Sequence, residues 1–169
     1  LKNNFVKLVK IPFLDWAYYH KAKFSLASTP EYLQGYFYIQ EAASQLPATV
    51  LAPTSKDRVL DCCAAPGSKT TQLAQLMNNE GELIALEINR KRLIVLKNNL
   101  ERLGIKNVLV YQLDAKEVSS LGLEFDKILV DAPCSGNFVV DSDWFNKRDL
   151  KGVRNNAQKQ KNILSESIK

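Results

Sequence analysis

Four acidic residues, Asp61, Glu87, Asp114 and Asp131, each close a short apolar run. The first is followed by a turn of small residues, Cys63-Ala64-Ala65-Pro66-Gly67, and the last by Ala132-Pro133-Cys134-Ser135-Gly136, which sets a thiol beside a carboxylate. Carboxylates suit hydroxyl donors, amine donors and cationic ligands, and they repel phosphate. A turn rich in Gly and Ala lets a ligand come close to the backbone. A single acidic residue at the end of a run is accounted for as a turn former, but four in succession are accounted for less well. Two nucleotide motifs are excluded by spacing. The first loop lacks G-x-G-x-x-G, the dinucleotide fingerprint. Gly67-Ser68-Lys69-Thr70 is not a P-loop either, because Ser68 separates the glycine from the lysine and the position five residues before Gly67 is Cys62.

The elements that would position these residues alternate between strands and helices. Val59–Cys62 reads as a strand holding Asp61, and Ser68 as the cap of a helix running to about Met77, stopped by Asn78, Asn79 and Gly81. Leu83–Leu86 reads as a second strand closed by Glu87. Residues 90–103 place Leu93, Leu96, Leu100 and Leu103 at helical spacing, with Gly104 as the residue after the helix. Val108–Leu113 and Phe125–Val130 are the third and fourth strands, ending at Asp114 and Asp131. This alternation predicts an α/β fold with a parallel sheet and right-handed crossovers. In such sheets ligands bind outside the carboxyl ends of the strands, so the four carboxylates are expected along one rim. A helix is expected over Ile39–Leu46, ending before Pro47, and another around Gln158–Ile168 near the end of the chain. The first forty-odd residues carry Phe5, Phe13, Trp16, Tyr18, Tyr19 and further aromatics, at a spacing that fits neither a long helix nor a clean strand. They are read as a basic, aromatic appendage (residues 1–44) before the main domain (residues 45–169), facing RNA or filling a small core.

Among 169 residues 46% are hydrophobic and 24% charged, which excludes collagenous and wholly disordered chains. No stretch approaches the roughly 18 apolar residues that cross a bilayer, and no secretory signal is visible; the chain opens at Leu1 and not at Met, which leaves a processed product with a removed leader open. The net charge of +5 is unevenly spread: residues 1–30 carry +4, residues 31–146 carry −4 and residues 147–169 carry +5. A mildly acidic body between basic ends suits a small-molecule pocket flanked by polyanion contacts. In the tail those contacts fall to Lys147, Arg148, Lys151, Arg154, Lys159 and Lys161; Trp144 is read as stacking on a base or buried against the sheet. Cys62, Cys63 and Cys134 are odd in number and two are adjacent, which favours free thiols in a reducing, cytoplasmic compartment over a disulfide scaffold. With no C-x-x-C and with His20 as the one histidine, no metal site is expected.

The run Asp61-Cys62-Cys63-Ala64-Ala65-Pro66-Gly67-Ser68-Lys69-Thr70, followed by Asp131-Ala132-Pro133-Cys134-Ser135-Gly136, closely resembles the RNA cytosine-5 methyltransferase family, the Sun/Fmu-like enzymes. Gly35 with Gln40-Glu41-Ala42-Ala43-Ser44, and Arg92 with Asn98-Asn99-Leu100 and Arg102-Leu103-Gly104, extend the likeness over about residues 30–165. The resemblance implies a class I methyltransferase (Rossmann-like) domain that binds S-adenosylmethionine and acts on structured RNA. The compact chain and short basic appendage favour tRNA over rRNA; no membrane partner is expected, and the oligomeric state is left open with a monomer favoured. By the same resemblance, Cys63, Ala64, Ala65, Pro66, Gly67, Ser68 and Lys69 would wrap the methionine and ribose through backbone groups. Glu87 would take the ribose hydroxyls with Arg92 in support, and Asp114 the adenine amine. Asp131 would lie beside both the methyl donor and the cytosine edge, with Lys69 holding it.

The chemistry explains the thiol. Carbon 5 of cytosine is a poor nucleophile, and a thiolate adding at carbon 6 makes the ring enamine-like, so that carbon 5 can attack a methyl donor. A hydrogen bond at the pyrimidine edge stabilises the developing charge. In the family a later Thr-Cys supplies that nucleophile while the cysteine of Pro-Cys, here Cys134, assists release. No cysteine follows Cys134 in this sequence. The chain is therefore expected to be a truncated form lacking the nucleophile. The alternatives are that Cys134 is itself the nucleophile, as the Pro-Cys of DNA cytosine-5 enzymes is, or that the chain is a non-catalytic cofactor- and RNA-binding fragment. Cys62 and Cys63 are expected to pack rather than react.

Overall fold

A computed structural model describes residues 6–136, 141–147 and 149–169, so Phe5 and Arg148 lie outside the described residues. The N-terminal stretch does form strands. β1 (Lys7–Lys10) and β2 (Tyr18–Lys21) make an antiparallel ribbon that pairs Leu8 with His20 and Lys7 with Lys21. Four residues per strand are too few for an alternation to register. The connection is held by a small cluster of Ile11, Leu14 and Ala17 and by the Ile11 N–H on the Ala17 carbonyl at 2.9 Å. Helix α1 (Pro30–Leu33) follows, capped by Thr29, whose Oγ1 accepts from the Tyr32 N–H at 3.3 Å.

The helix expected over Ile39–Leu46 lies further on. A 3-10 turn at Ala43–Gln45 leads into α2 (Leu46–Leu51), which places Pro47 in its first turn. Proline lacks an N–H that the first turn does not use, so it starts this helix instead of ending one. Ser68 is likewise the first residue of α3 (Ser68–Leu76); the cap position belongs to Gly67, at φ +111°. There a Cβ would press on Leu96 Cδ1 at 3.1 Å.

β3 (Arg58–Asp61), β4 (Glu82–Leu86), β5 (Val108–Tyr111) and β6 (Lys127–Leu129) form one parallel sheet in the order β5-β4-β3-β6. α3 crosses from β3 to β4 and α4 (Arg90–Arg102) from β4 to β5, while a 3-10 segment over Ala115–Leu121 leads towards β6. Side chains alternate between the two faces. Val59 and Leu83 pack with Leu73, Ala74 and Met77 of the α3 layer. Leu60, Ile84 and Leu86 pack with Ala115, Val118 and Ile163, the last from the C-terminal helix (Leu150–Ser167), which follows the short α5 (Trp144–Lys147) and is α6. A sheet covered on both faces has apolar residues throughout its strands, and each fully buried Leu or Ile contributes about 1.5–3 kcal/mol. Because β4 and β6 flank β3 on opposite sides, the chain reverses its direction of travel at β3, the switch point beside which parallel sheets hold ligands.

Candidate active site

The turn after β3 is fixed from three sides. The Cys62 N–H donates to the Leu129 carbonyl (3.0 Å), the Ala64 N–H to the Leu86 carbonyl (2.9 Å) and the Gly67 N–H to the Ala64 carbonyl (2.8 Å). From α4, Arg92 donates to the Ala65 carbonyl and Asn99 Nδ2 to the Pro66 carbonyl at 2.9 Å. The Ala65–Pro66 bond is cis. The methyls of Ala64 and Ala65 pack among Ala85, Leu96 and Leu100, so several backbone groups and both side chains of this turn serve the turn itself.

Asp61 departs from the expected rim. It is buried beneath the turn, where Thr70 Oγ1 donates to its Oδ2 at 2.8 Å and the Cys63 N–H approaches Oδ1 at 3.4 Å. Burial pushes its carboxyl up to about 6, with Asp131 adding to the rise and the Thr70 bond and Lys69 opposing it. The side chain at the end of β3 points inward because residue 61 falls on the face that α3 covers.

The other three acidic residues are at the carboxyl edge, but in two adjoining cavities. Glu87 and Asp114 line the first, of about 320 Å³, with Cys63 and Arg92. Leu86, Ile88 and Ile163 contribute apolar wall, and Pro133 and Lys159 close it. Glu87 is buried, its Oε1 accepting from the Asn89 N–H at 2.7 Å and its Oε2 3.3 Å from Arg92 Nη1. Asn89 also caps α4, with Oδ1 accepting from the N–H groups of Lys91 and Arg92. Burial pulls the Asp114 carboxyl upward, but its bonds from the Lys116 N–H (3.0 Å) and ammonium (2.9 Å) outweigh this and hold it below the usual range.

Asp131 and Cys134 line the second cavity, of about 590 Å³, against Gln160, Lys161 and Leu164 of α6. The Asp131 side chain therefore opens beside the first cavity and not into it. Lys69, almost buried, reaches across from α3 to donate to Asp131 Oδ2 at 2.7 Å and to Ser44 Oγ at 3.0 Å. Ser44 also accepts from Gln40 Nε2 at 3.2 Å. Ser68 faces a separate cleft on the other side of α3.

Of the three free thiols, Cys134 is exposed. Burial raises Cys62 to about 11 and Cys63 to about 12, the latter helped by neighbouring Cys62, Asp61 and Glu87. Both stay protonated at neutral pH, and Cys62 Sγ lies 3.3 Å from Ser167 Oγ. The basic tail is not uniformly free: Lys147 pairs with Asp141 at 2.9 Å, and Lys159 and Lys161 each line one of the two cavities. Trp144 is half-buried, its Nε1 donating to the Ser135 carbonyl at 2.8 Å.

Sequence reasoning gives no role to Asn89, Thr70 or Ser44. Asn before a helix is a readable cap signal, but the bonds from Thr70 to Asp61 and from Lys69 to Ser44 join residues that only the fold brings together. Among the described residues no cluster of His, Cys, Asp or Glu is arranged to hold a metal, and no helix is long and apolar enough to cross a membrane.

A parallel sheet with its switch point at β3, a cavity holding two carboxylates and a Lys–Asp pair beside an exposed thiol define a Rossmann-like class I methyltransferase domain. The model of the family described as 16S rRNA methyltransferase RsmB/F matches residues 48–169, and the chain belongs to that family. It is 42% identical over 150 residues to the tRNA (cytosine(72)-C(5))-methyltransferase of Pyrococcus horikoshii, covering 87% of this chain and 38% of that protein. It is also 42% identical over 172 residues to the ribosomal RNA small subunit methyltransferase F of Aeromonas hydrophila, covering 96% of this chain and 36% of that protein. The crystal structure of NSun6 from Pyrococcus horikoshii with SFG superposes with a TM-score of 0.79 at 40% identity, over 85% of this chain and 37% of that one. The chain thus spans well under half the length of each of these relatives.

Proposed function

We propose that this chain is the cofactor-binding portion of an S-adenosylmethionine-dependent enzyme that methylates carbon 5 of cytosine in structured RNA. The observation that carries this reading is the juxtaposition of the Glu87/Asp114 cavity with the rim where Lys69 holds Asp131 beside Cys134. The cavity suits the cofactor. Two carboxylates meet hydroxyl and amine donors, apolar walls meet a purine, and about 320 Å³ lies within the range of small-molecule sites. When bound, S-adenosylmethionine supplies an electrophilic sulfonium methyl.

Glu87, oriented by the Asn89 N–H and Arg92, takes the ribose hydroxyls. Asp114, kept ionised by Lys116, accepts from the adenine amine. The Cys63–Lys69 turn supports the methionine and ribose with whatever backbone groups its own bonding leaves over. Asp131 meets the cytosine edge, and the Lys69 ammonium keeps it in place. Cys134 assists release of the product, with the attacking thiolate coming from a cysteine outside these residues. As the one exposed thiol of the three, Cys134 also supports the second reading, in which it is the nucleophile.

The RNA is tRNA ahead of rRNA, and the compartment is the cytoplasm, which suits three free thiols. The deciding experiment incubates this chain and its parent with methyl-labelled S-adenosylmethionine and either tRNA or a small-subunit rRNA fragment, then analyses the nucleosides. The expected product from the parent is 5-methylcytosine. No product, or a methyl on an exocyclic nitrogen, refutes the assignment. Turnover by this chain alone, lost in Cys134→Ser, would establish the second reading. Cofactor and RNA binding without turnover would leave it a binding fragment.

A further inference from the structure

Outside the two cavities of the carboxyl edge, the ribbon, the segment before α2 and the outer side of α3 enclose a cleft of about 260 Å³. Trp16, Tyr18, Tyr36 and Tyr38 line it, and the first three are substantially exposed, Tyr36 at 75%. Such rings offer flat apolar faces to water. A planar partner would cover them, whereas a core packed from within would have hidden them.

The cleft also holds an unanswered polar atom. Gln72, only 5% exposed, lines it and donates through Nε2 to the Gln45 carbonyl (2.9 Å) and Thr49 Oγ1 (3.2 Å). Those two bonds fix the amide, and its Oε1, buried, has no partner among the described residues. A buried acceptor without a donor is costly and calls for a ligand N–H. Among the described residues the lining itself carries no lysine or arginine. Leu8, Tyr18 and His20 line the cleft, so Lys7 and Lys21, one position along each strand, belong to the other face of the ribbon. The first 30 residues as a whole carry +4. Position matters as well. Gln40 and Gln45, which flank Ser44 in sequence, and Ser68, the neighbour of Lys69, all line this cleft, while Lys69 bonds Ser44 at 3.0 Å and Asp131 at 2.7 Å.

We propose that this cleft is a nucleobase subsite that takes an unpaired base of the RNA flanking the target cytosine. The base stacks on the exposed tyrosines and Trp16 and gives an amine or imino N–H to Gln72 Oε1. A flat ring with an N–H donor on its edge is the chemistry of an unpaired base in a single strand. The inference rests on the RNA reading above.

The test measures binding of a fluorescein-labelled, cytosine-containing single-stranded oligonucleotide to the full chain by anisotropy. Tyr36→Ala and Trp16→Ala are each expected to weaken binding about tenfold, the scale of one lost stacking partner. Binding of S-adenosylmethionine, measured calorimetrically on the same variants, stays unchanged and certifies their fold. Tyr36, the most exposed of the rings, serves where Trp16→Ala fails that check. Photocrosslinking of 4-thiouridine-substituted RNA is expected to label peptides within residues 11–40. If RNA and cofactor both bind but these variants are neutral, or crosslinks fall only on α6, the cleft proposal fails alone. If the unaltered chain binds neither, the function proposed above fails with it.

Discussion

Replacing the buried Asp61 by asparagine isolates what its ionisation costs the fold. The carboxyl sits under the turn with Thr70 as its one close donor, and burial raises it from 3.8 to about 6. The folded state therefore holds this proton more tightly than the unfolded chain does. The stability contributed by the protonated form is complete below about pH 4 and is lost as the pH rises through about 6. The gap corresponds to about 3 kcal/mol above that window. The substituted amide would keep an acceptor for Thr70 and lose the weak 3.4 Å approach of the Cys63 N–H, a cost of about 0.5–1 kcal/mol. Urea unfolding of the full chain from pH 4 to pH 8, followed by circular dichroism, reads the difference directly. Asp61→Asn is expected to match or fall slightly below the unaltered chain at pH 4 and to exceed it by about 2 kcal/mol at pH 7.5, net of that lost contact. Other groups titrate in both chains and cancel. Two profiles that run parallel across the window would refute the burial of an ionisable Asp61.

Glu87→Gln should weaken S-adenosylmethionine binding by about 30- to 100-fold in calorimetry, the scale of one or two bonds to a charged acceptor, and an unchanged affinity would remove Glu87 from the site. Lys69→Met releases Asp131 and Ser44 together; methyl transfer by the parent enzyme is expected to drop by at least about 100-fold, with cofactor affinity little altered, and a normal rate would show the pair to be dispensable. Iodoacetamide at pH 7.5, followed by mass spectrometry, should modify Cys134 and spare Cys62 and Cys63, which burial holds near 11 and 12; equal labelling of all three would contradict that. Arg102 lies 4.0 Å from the centre of the Tyr32 ring and donates to the Tyr32 and Phe37 carbonyls, so Arg102→Ala should destabilise the chain by about 2–3 kcal/mol in urea unfolding, and a neutral result would mean that the N-terminal segment is docked by other contacts.

The last of these contacts also explains Gly35. At φ +81° it packs so closely on the end of α4 that a Cβ would lie 1.9 Å from the Arg102 carbonyl oxygen. Its place in the motif was readable from sequence, but the neighbour that forbids a side chain lies 67 positions away in the chain.

Much of the architecture lay in local pattern. Apolar runs ending in acidic residues marked β3, β4, β5 and β6. The leucines of α4 and Gly104 after it marked that helix, and the two motifs at Asp61–Thr70 and Asp131–Gly136 marked the family. Local geometry determines these features: a strand's period, a helix's stripe and a turn's glycine act over a few bonds and leave their trace in order along the chain. Pro47 misled because one residue type serves opposite ends of a helix, and the ribbon was hidden because its four-residue strands show no period.

The tertiary structure decided matters of direction and depth. It turned Asp61 inward onto Thr70 while leaving Glu87 and Asp114 in one cavity and Asp131 in the next. It joined Lys69 to Ser44 across 25 positions and to Asp131 across 62. Composition cannot encode such outcomes, because which face a strand end presents and how far water reaches it depend on the layers packed against the sheet. Burial, and with it each carboxylate's charge and partners, exists only once those layers meet.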